Sequence, residues 1–286
     1  MKRCILLTIV FTLMLGSVFA QVNVPLTKTD LDDIQREREI MKMMNINLSQ
    51  TWLFMVKDNL ISSNKLLVSE IYYNNQGLPE RIYFFNQSQE LESFTVVKYN
   101  KQNLPFEEIR FLADSSLLNG IMYVYNESNL LEKQINYNKN SEIVSVFEHQ
   151  RKNDTVFITE YDKNEKIATQ SYIVIDNIDG FELTGKIISN SSKNDITEKQ
   201  IFEYDDMALL RKKIIFEGGQ NTGHKDFVYN DDGALVKSTL FDATSNVLSS
   251  NSYEYDSYGN VNRIIEREEK DNSTKVFVIK YLTRTK

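Results

Sequence analysis

The chain has 286 residues, of which 26% are charged and 11% aromatic, and its formal net charge is −7. This acidic balance argues against nucleic acid as a partner, because phosphate binding needs clustered Lys and Arg. The 15 Tyr and 16 Phe argue against a disordered chain, since disordered chains are poor in aromatic residues.

The first twenty residues have the three parts of an export signal. A basic start is followed by an apolar run over 5–15 and by small residues before a predicted cleavage after Ala20. The apolar run is shorter than the ~20 residues of a membrane-spanning helix, which favours a cleaved signal over an anchor. We interpret 1–20 as a signal peptide and expect a periplasmic, extracellular or cell-surface protein.

Cys4 is the only cysteine and lies inside this signal, so the mature chain is expected to have no thiol. Disulfides, cysteine metal ligands and a thiol nucleophile are thereby excluded for the mature chain. Loss of Lys2 and Arg3 also leaves 31 basic and 40 acidic residues, a net charge of −9.

Residues 21–48 are predicted to be an N-terminal segment with a helix over about 30–46. Thr29 is the expected cap, and the aspartates that follow it suit the positive end of the helix dipole. Leu31, Ile34 and Met41 fall on one stripe. We expect this helix to cover an end of a sheet; a partner-binding arm is the alternative.

Residues 49–286 contain a repeat anchored on tyrosine. Five of the seven spacings between successive anchors are 25 or 26 residues, and the two in the middle are 36 and 43. A fixed period of this length is typical of repeated supersecondary units. The predicted anchors are Tyr73, Tyr99, Tyr125, Tyr161, Tyr204, Tyr229, Tyr255 and Tyr281.

The residues after each anchor predict a tight turn. Asn or Asp follows the tyrosine, and a residue that tolerates positive φ comes three positions later, as at Gly77, Gly233 and Gly259. A period of 26 residues holds two strands and two turns, and the second, return turn is expected to be looser. The predicted fold is all-β, a long antiparallel up-and-down meander of roughly 14–18 strands, curled or barrel-like, with one N-terminal helix.

Few residues point to catalysis. His149 and His224 have polar neighbours and are expected to face solvent, and neither has further metal ligands at fixed spacing. The pairs Asp205-Asp206 and Asp231-Asp232 occupy turn positions, where short polar side chains are needed for structure. We therefore predict no catalytic residue, no metal site and no cofactor. A hydrolase is the least favoured hypothesis, because no residue pattern in the sequence supports it.

The tyrosine series has two interpretations. A ladder of exposed tyrosines on a sheet could stack on sugars and bind a glycan. Cross-strand packing in a repeat requires the same periodicity, and we favour packing.

The segment from Tyr255 to Val261, with Arg263-Ile264 after it, resembles the YD repeats of Rhs-type and wall-associated secreted proteins. The segment from Tyr229 to Leu235 is similar, with Asn230 in place of the aspartate. The chain also resembles uncharacterised secreted β-meander proteins described as having a porin-like fold. These resemblances imply an exported array of hairpins and bring no functional residues.

Two functions remain open. The first is a non-enzymatic binding or structural module of the periplasm or cell surface, which contacts a glycan or an envelope protein. The second is a porin-like outer-membrane barrel, whose aromatic face meets lipid and whose charged face lines the lumen. Charges beside apolar positions, as in Arg211-Lys212-Lys213, favour the first, since a charge in mid-membrane costs ~2–4 kcal/mol.

Overall fold

The structure is a computed structural model that describes residues 26–57, 60–191 and 196–283. The predicted signal peptide 1–20, with Cys4, lies outside the described residues. Within these ranges, one helix and eighteen strands follow one another. They are α1 (Lys28–Met43), β1 (Ile46–Lys57), β2 (Leu60–Tyr73), β3 (Pro79–Phe85), β4 (Leu91–Tyr99), β5 (Pro105–Leu112), β6 (Leu117–Tyr125), β7 (Leu131–Asn138), β8 (Ile143–Lys152), β9 (Thr155–Asp162), β10 (Ile167–Ile178), β11 (Phe181–Ser191), β12 (Ile196–Tyr204), β13 (Leu210–Glu217), β14 (Gln220–Tyr229), β15 (Leu235–Asp242), β16 (Val247–Tyr255), β17 (Val261–Glu268) and β18 (Ser273–Thr283).

The strands form one closed antiparallel barrel. Each strand pairs with its neighbours in the chain, and β1 pairs with both β2 and β18, which closes the ring. Closure leaves no unpaired edge for another chain to extend. The predicted all-β up-and-down meander with one N-terminal helix is confirmed, and its strand number lies at the top of the expected range.

One turn structure recurs at both ends of the barrel. In the first copy, Asn74 and Leu78 pair through the backbone, and Gly77 adopts a φ of +76°. The Asn74 Oδ1 atom accepts hydrogen bonds from the N–H groups of Gln76 and Leu78, at 2.9 and 3.1 Å. This is a type I turn followed by a left-handed residue, locked by an Asx side chain. The same side-chain bonds form at Asn74, Asn86, Asn100, Asn126, Asn138, Asp162, Asp205, Asn230, Asp242 and Asp256.

The expectation of looser return turns is wrong for several of them. Asn86 and Asp242 begin turns identical to those after the tyrosines, because the same Asx chemistry can close either end of an antiparallel pair. At Gly218-Gly219 the return turn instead has two residues, both with positive φ, as a type I′ turn requires.

We call the end of the barrel that carries the turn at 74–78 the tyrosine rim. Its turns begin at residues 74, 100, 126, 153, 179, 205, 230 and 256, so one occurs every 25 to 27 residues without interruption. Tyr161 precedes a turn at the opposite rim and is half a period out of phase. The irregular spacings of 36 and 43 residues arise because the turns at Asn153 and Asp179 on the tyrosine rim follow no tyrosine, and Tyr161 belongs to the opposite rim.

Helix α1 lies across the tyrosine rim. Before its first turn, Leu26 packs on Val156 and Ile173 of β9 and β10, and near its end Met41 packs on Ile71 and Tyr73 of β2. These two places are eight strands apart in the 18-strand ring and nearly opposite.

The length of α1 shows which face of the sheet it contacts. Sixteen residues span about 24 Å, whereas half the circumference of such a barrel is roughly 55 Å. The helix therefore crosses the mouth as a chord, and the side chains it contacts on both walls lie on the inner face.

The helix begins and ends earlier than predicted, at Lys28 and Met43 rather than at 30 and 46. Thr27, not Thr29, is the cap: its side chain accepts from the Asp30 N–H at 3.1 Å, and the Asp30 carboxylate accepts from the Thr27 N–H at 2.8 Å. Among the described residues, no helix is long and apolar enough to cross a membrane.

Candidate functional site: the barrel interior beneath α1

The inner wall can be assigned residue by residue from strand alternation. Counting from Ile71 along the register of neighbouring strands reaches Ile173 on the same face, which agrees with the independent packing of Leu26. Eight strands make a barrel that side chains just fill, and sixteen to eighteen leave an open interior. The described clusters of buried apolar side chains sit at the two ends of α1, and neither joins opposite walls.

One end of α1 is held by Glu182, at the start of β11. Its carboxylate accepts two hydrogen bonds from the Arg151 guanidinium, at 2.9 and 3.1 Å, and one from the Lys28 N–H at 3.0 Å. The Glu182 N–H in turn donates to the Thr29 hydroxyl at 2.9 Å. The bonds from Arg151 lower the pKa of Glu182, so an ionised carboxylate faces the positive end of the helix dipole.

The other end of α1 is held by close packing. Met41 is 3% exposed, and the turn at Gly77 approaches the helix backbone so closely that a Cβ there would lie 2.5 Å from the Arg38 carbonyl oxygen. The Tyr73 hydroxyl lies 3.3 Å from the Ser49 hydroxyl beneath this contact. The helix is therefore clamped at both walls.

The helix carries acidic side chains, Asp33 and Glu37, that are half-buried. Burial raises the pKa of Glu37 to about 7, and the nearby Asp33 carboxylate adds to this shift while Arg36 opposes it. Burial also raises the pKa of Asp33. Tyr73, on the inner wall, is close enough to sense the Glu37 charge. Glu37 thus places an acidic group near the inner wall at the tyrosine rim.

The inner wall of β5 and β6 carries a satisfied polar cluster. Glu108 is 6% exposed and accepts a 2.6 Å hydrogen bond from the Tyr123 hydroxyl. Burial and the Glu108 carboxylate raise the pKa of Tyr123, which stays a neutral donor. Two strands of this wall are further joined by Arg110, which donates to the Ser93 hydroxyl at 3.0 Å.

The inner wall of β13 and β14 is basic. Lys213 and Lys225 are directly opposite in the cross-strand register, and both point inward. The Lys213 ammonium lies 5.6 Å from the Phe202 ring centroid, and the Lys225 ammonium 5.7 Å from that of Phe227. Burial lowers the pKa of both lysines.

The predicted tyrosine anchors mostly point inward at the tyrosine rim. Five of them donate a hydrogen bond to the backbone carbonyl of the residue twenty positions earlier, on the adjacent strand. These are Tyr99 to Pro79, Tyr125 to Pro105, Tyr204 to Thr184, Tyr255 to Leu235 and Tyr281 to Val261, at 2.6 to 3.1 Å. Such bonds tie neighbouring strands together, so the anchors do not form an outward platform for sugars.

The remaining anchors differ in position. Tyr73 packs against α1, Tyr229 lies beneath the guanidinium of Arg211 at 5.2 Å, and Tyr161 is on the outer wall at the opposite rim. Gly77, Gly233 and Gly259 all occupy the left-handed position of a turn, and only Gly77 touches α1.

The expectation for the histidines is wrong for His149. It lies on the inner wall of β8, where both ring nitrogens are buried without a hydrogen-bond partner, and burial lowers its pKa to about 4. His224 is on the outer wall, stacked on Phe241 at 4.7 Å. Strand alternation could have identified His149, because it shares a face with Phe147.

Two further sets of residues bear on chemistry. The side chain of Asp205 receives two backbone hydrogen bonds and an ion pair from Arg211, which accounts for it structurally. Among the described residues, no group of three or more potential ligands is arranged to hold a metal ion. The sequence alone does not predict a role for Lys213 or Lys225. Strand alternation nevertheless places Lys225 and Phe227 on the same face of β14.

No family model and no curated protein matches the chain. Several solved structures are similar in fold. A porin-like protein from Bacteroides uniformis has 8% identity and a TM-score of 0.42, with 82% of this chain and 97% of that one covered. A porin-like protein from Bacteroides vulgatus has 9% identity and a TM-score of 0.30, over 81% and 97%. A LolA superfamily protein from Nitrosomonas europaea has 9% identity and a TM-score of 0.27, over 88% and 94%. At these TM-scores the likeness bears on neither function nor partners.

Proposed function

We propose that the protein is a non-enzymatic, exported binding module that holds a ligand inside the barrel beneath α1. The observation that carries this proposal is the helix itself, which crosses one mouth and is fastened to both walls by Glu182 and by the contact at Gly77. A helix about 10 Å wide also leaves openings on either side in a mouth of this size.

The composition of the inner wall supports binding. Ile187, Phe202 and Ile215 supply apolar surface on β11 to β13, and Lys213 supplies a charged group on the same wall. Ligand sites are typically apolar surfaces with a few placed polar groups. We also propose, as a separate matter, that the outer wall contacts a glycan or an envelope protein through the aromatic row Tyr83, Phe94 and Phe111.

An outer-membrane barrel is the second candidate, favoured by the closed ring of an even number of strands. The outer wall argues against it. Ion pairs such as Lys98–Glu107, Lys133–Glu148 and Arg263–Glu254 point outward, and the tyrosine-anchored face lines the interior rather than meeting lipid. Buried in a membrane, such charges would each cost up to ~2–4 kcal/mol.

Strand length also argues against a spanning barrel. Strands of eight residues, such as β5, β7 and β13, are about 26 Å long and rise only about 20 Å at the usual tilt. The apolar band of an outer-membrane barrel is about 25 Å tall.

Cell fractionation separates the two candidates. A binding module is expected in the soluble envelope or extracellular fraction without detergent. Recovery only from outer membranes with detergent, together with heat-modifiable migration on gels, would establish the second candidate instead.

Binding inside the barrel can be tested with a neutral apolar dye, N-phenyl-naphthylamine. Ile215 faces inward and its neighbour Ile214 faces outward on the same strand. Ile215→Gln should weaken dye binding several-fold, whereas Ile214→Gln should leave it unchanged. Equal effects of the two substitutions, or no dye binding by the folded protein, would contradict the proposal.

A further inference from the structure

Lys213 and Lys225 form an unusual pair within the interior. They are direct cross-strand neighbours on β13 and β14, and like charges at such positions repel one another. Burial lowers the pKa of Lys225, and the nearby Lys213 charge lowers it further. Sequences normally avoid this arrangement in a half-buried wall.

Neither lysine has an ion-pair partner in the part of the chain that the structure describes. The Glu198 carboxylate, on the inner side of β12, opposes the lowering of the Lys213 pKa, but Glu198 is exposed. Asp226, the acid next to Lys225 in sequence, is on the outer wall, where it lies 3.7 Å from Lys212.

The surroundings of the two lysines are apolar and aromatic. Phe202 is opposite Lys213, Leu240 is opposite Lys225, and Phe227 follows on the same face of β14. Each ammonium group lies within 6 Å of a ring centroid, and both lysines are half-buried. Two half-buried cations beside apolar surface match a ligand with an acidic head and an apolar body.

We propose that Lys213 and Lys225 together bind the anionic group of an amphiphilic ligand inside the barrel. This inference rests on the proposed function, because it assigns the chemistry of the ligand in the same interior. The recognised group is a carboxylate, sulfate or phosphate, and the apolar body lies along Phe202, Phe227 and Leu240.

The test uses three probes on the full mature protein. Palmitate has an anionic head and an apolar body, methyl palmitate has the same body without charge, and inorganic phosphate has the charge without a body. Wild type should bind palmitate at least tenfold more tightly than methyl palmitate, as charge-assisted hydrogen bonds require. Inorganic phosphate alone should bind weakly, because it gains nothing from the apolar wall.

Matched substitutions locate the effect. Lys213→Gln and Lys225→Gln should each weaken palmitate binding about tenfold and leave methyl palmitate unchanged. Lys212→Gln, one residue away on the outer wall, is the control and should change neither. Circular dichroism and thermal melting establish that each variant is folded.

The outcomes separate this inference from the proposed function. If wild type binds palmitate and its ester equally, or if the inward substitutions have no more effect than Lys212→Gln, the anion site is wrong while the binding module stands. If folded wild type binds neither amphiphile, both are overturned. If inorganic phosphate binds as tightly as palmitate, the lysines form a site for free anions, and the proposal of an amphiphilic ligand is wrong.

Discussion

The carboxylate of Glu182 accepts a pair of hydrogen bonds from the guanidinium of Arg151, and the same carboxylate caps the start of α1 through the Lys28 N–H. Arg151 belongs to β8 and Glu182 to β11, so their contact spans the two strands between them, β9 and β10. One side chain therefore joins the wall of the barrel to the helix that crosses its mouth.

Loss of the Glu182 charge is expected to loosen α1. Glu182→Gln should lower the free energy of unfolding by about 1–3 kcal/mol, because charge-assisted hydrogen bonds are removed. Amide exchange in the first turn of α1 should accelerate, as hydrogen–deuterium exchange would show.

The matched control is Glu148→Gln, which breaks the outward ion pair with Lys133 at 2.9 Å. Exposed pairs contribute about 0–1 kcal/mol, so this change should be nearly silent. Unchanged exchange of α1 in Glu182→Gln would contradict the role given to this anchor.

Two glycines in identical turns test the other anchor. Gly233 has a φ of +81°, and a Cβ there would meet only the Leu209 side chain at 4.0 Å, so Gly233→Ala should cost only the left-handed strain of about 1–2 kcal/mol. Gly77→Ala meets the same strain and also places its Cβ against the backbone of Arg38 and Lys42. It should destabilise the protein clearly more and expose α1 to limited proteolysis. Equal thermal melting of the two variants would refute the close approach of α1.

Hydroxyl removal tests the rim tyrosines. Tyr125→Phe deletes a 2.6 Å hydrogen bond to the Pro105 carbonyl and should lower the free energy of unfolding by about 1 kcal/mol in urea titration. Tyr258 is 72% exposed in a turn, so Tyr258→Phe is the control and should change stability by less than about 0.5 kcal/mol. A neutral Tyr125→Phe would show that these hydroxyls do not hold the strands.

His149 predicts a pH dependence. Its folded pKa of about 4 lies below the unfolded value near 6.5, so the unfolded chain binds the proton first on acidification. Its contribution to stability is therefore complete above pH ~6.5 and is lost as the pH falls toward 4. His149→Leu should flatten this part of the stability profile and remove an unsatisfied buried ring, with a gain of about 1 kcal/mol at pH 7. An unchanged slope between pH 6.5 and 4 would show that His149 is not buried as described.

Much of the fold can be predicted from local chemistry, since Asn or Asp followed three residues later by a left-handed residue specifies ten of the described hairpin turns. The sequence does not predict which turns share a rim, because Tyr161-Asp162 at one rim has the same pattern as Tyr99-Asn100 at the other. The pairing of β1 with β18, which closes the barrel, joins the first and last described strands and depends on no local signal.

The residues of the inner wall are harder to predict from the sequence than the turns. Alternation alone places His149 with Phe147 and Lys225 with Phe227, but it does not say which face is enclosed. That information comes from α1, whose contacts with Ile71 and Ile173 identify the inner wall.

The central claim, a ligand held inside the barrel, is tested most directly by isoleucine methyl NMR with stearate that carries a nitroxide on its chain. Neighbouring isoleucines on two strands face opposite sides, Ile215 and Ile264 inward and Ile214 and Ile265 outward. Bound nitroxide should broaden the methyl signals of Ile215 and Ile264 and spare those of Ile214 and Ile265. Broadening of the outward pair alone, or of all four equally, would place the ligand on the outer wall and contradict the claim.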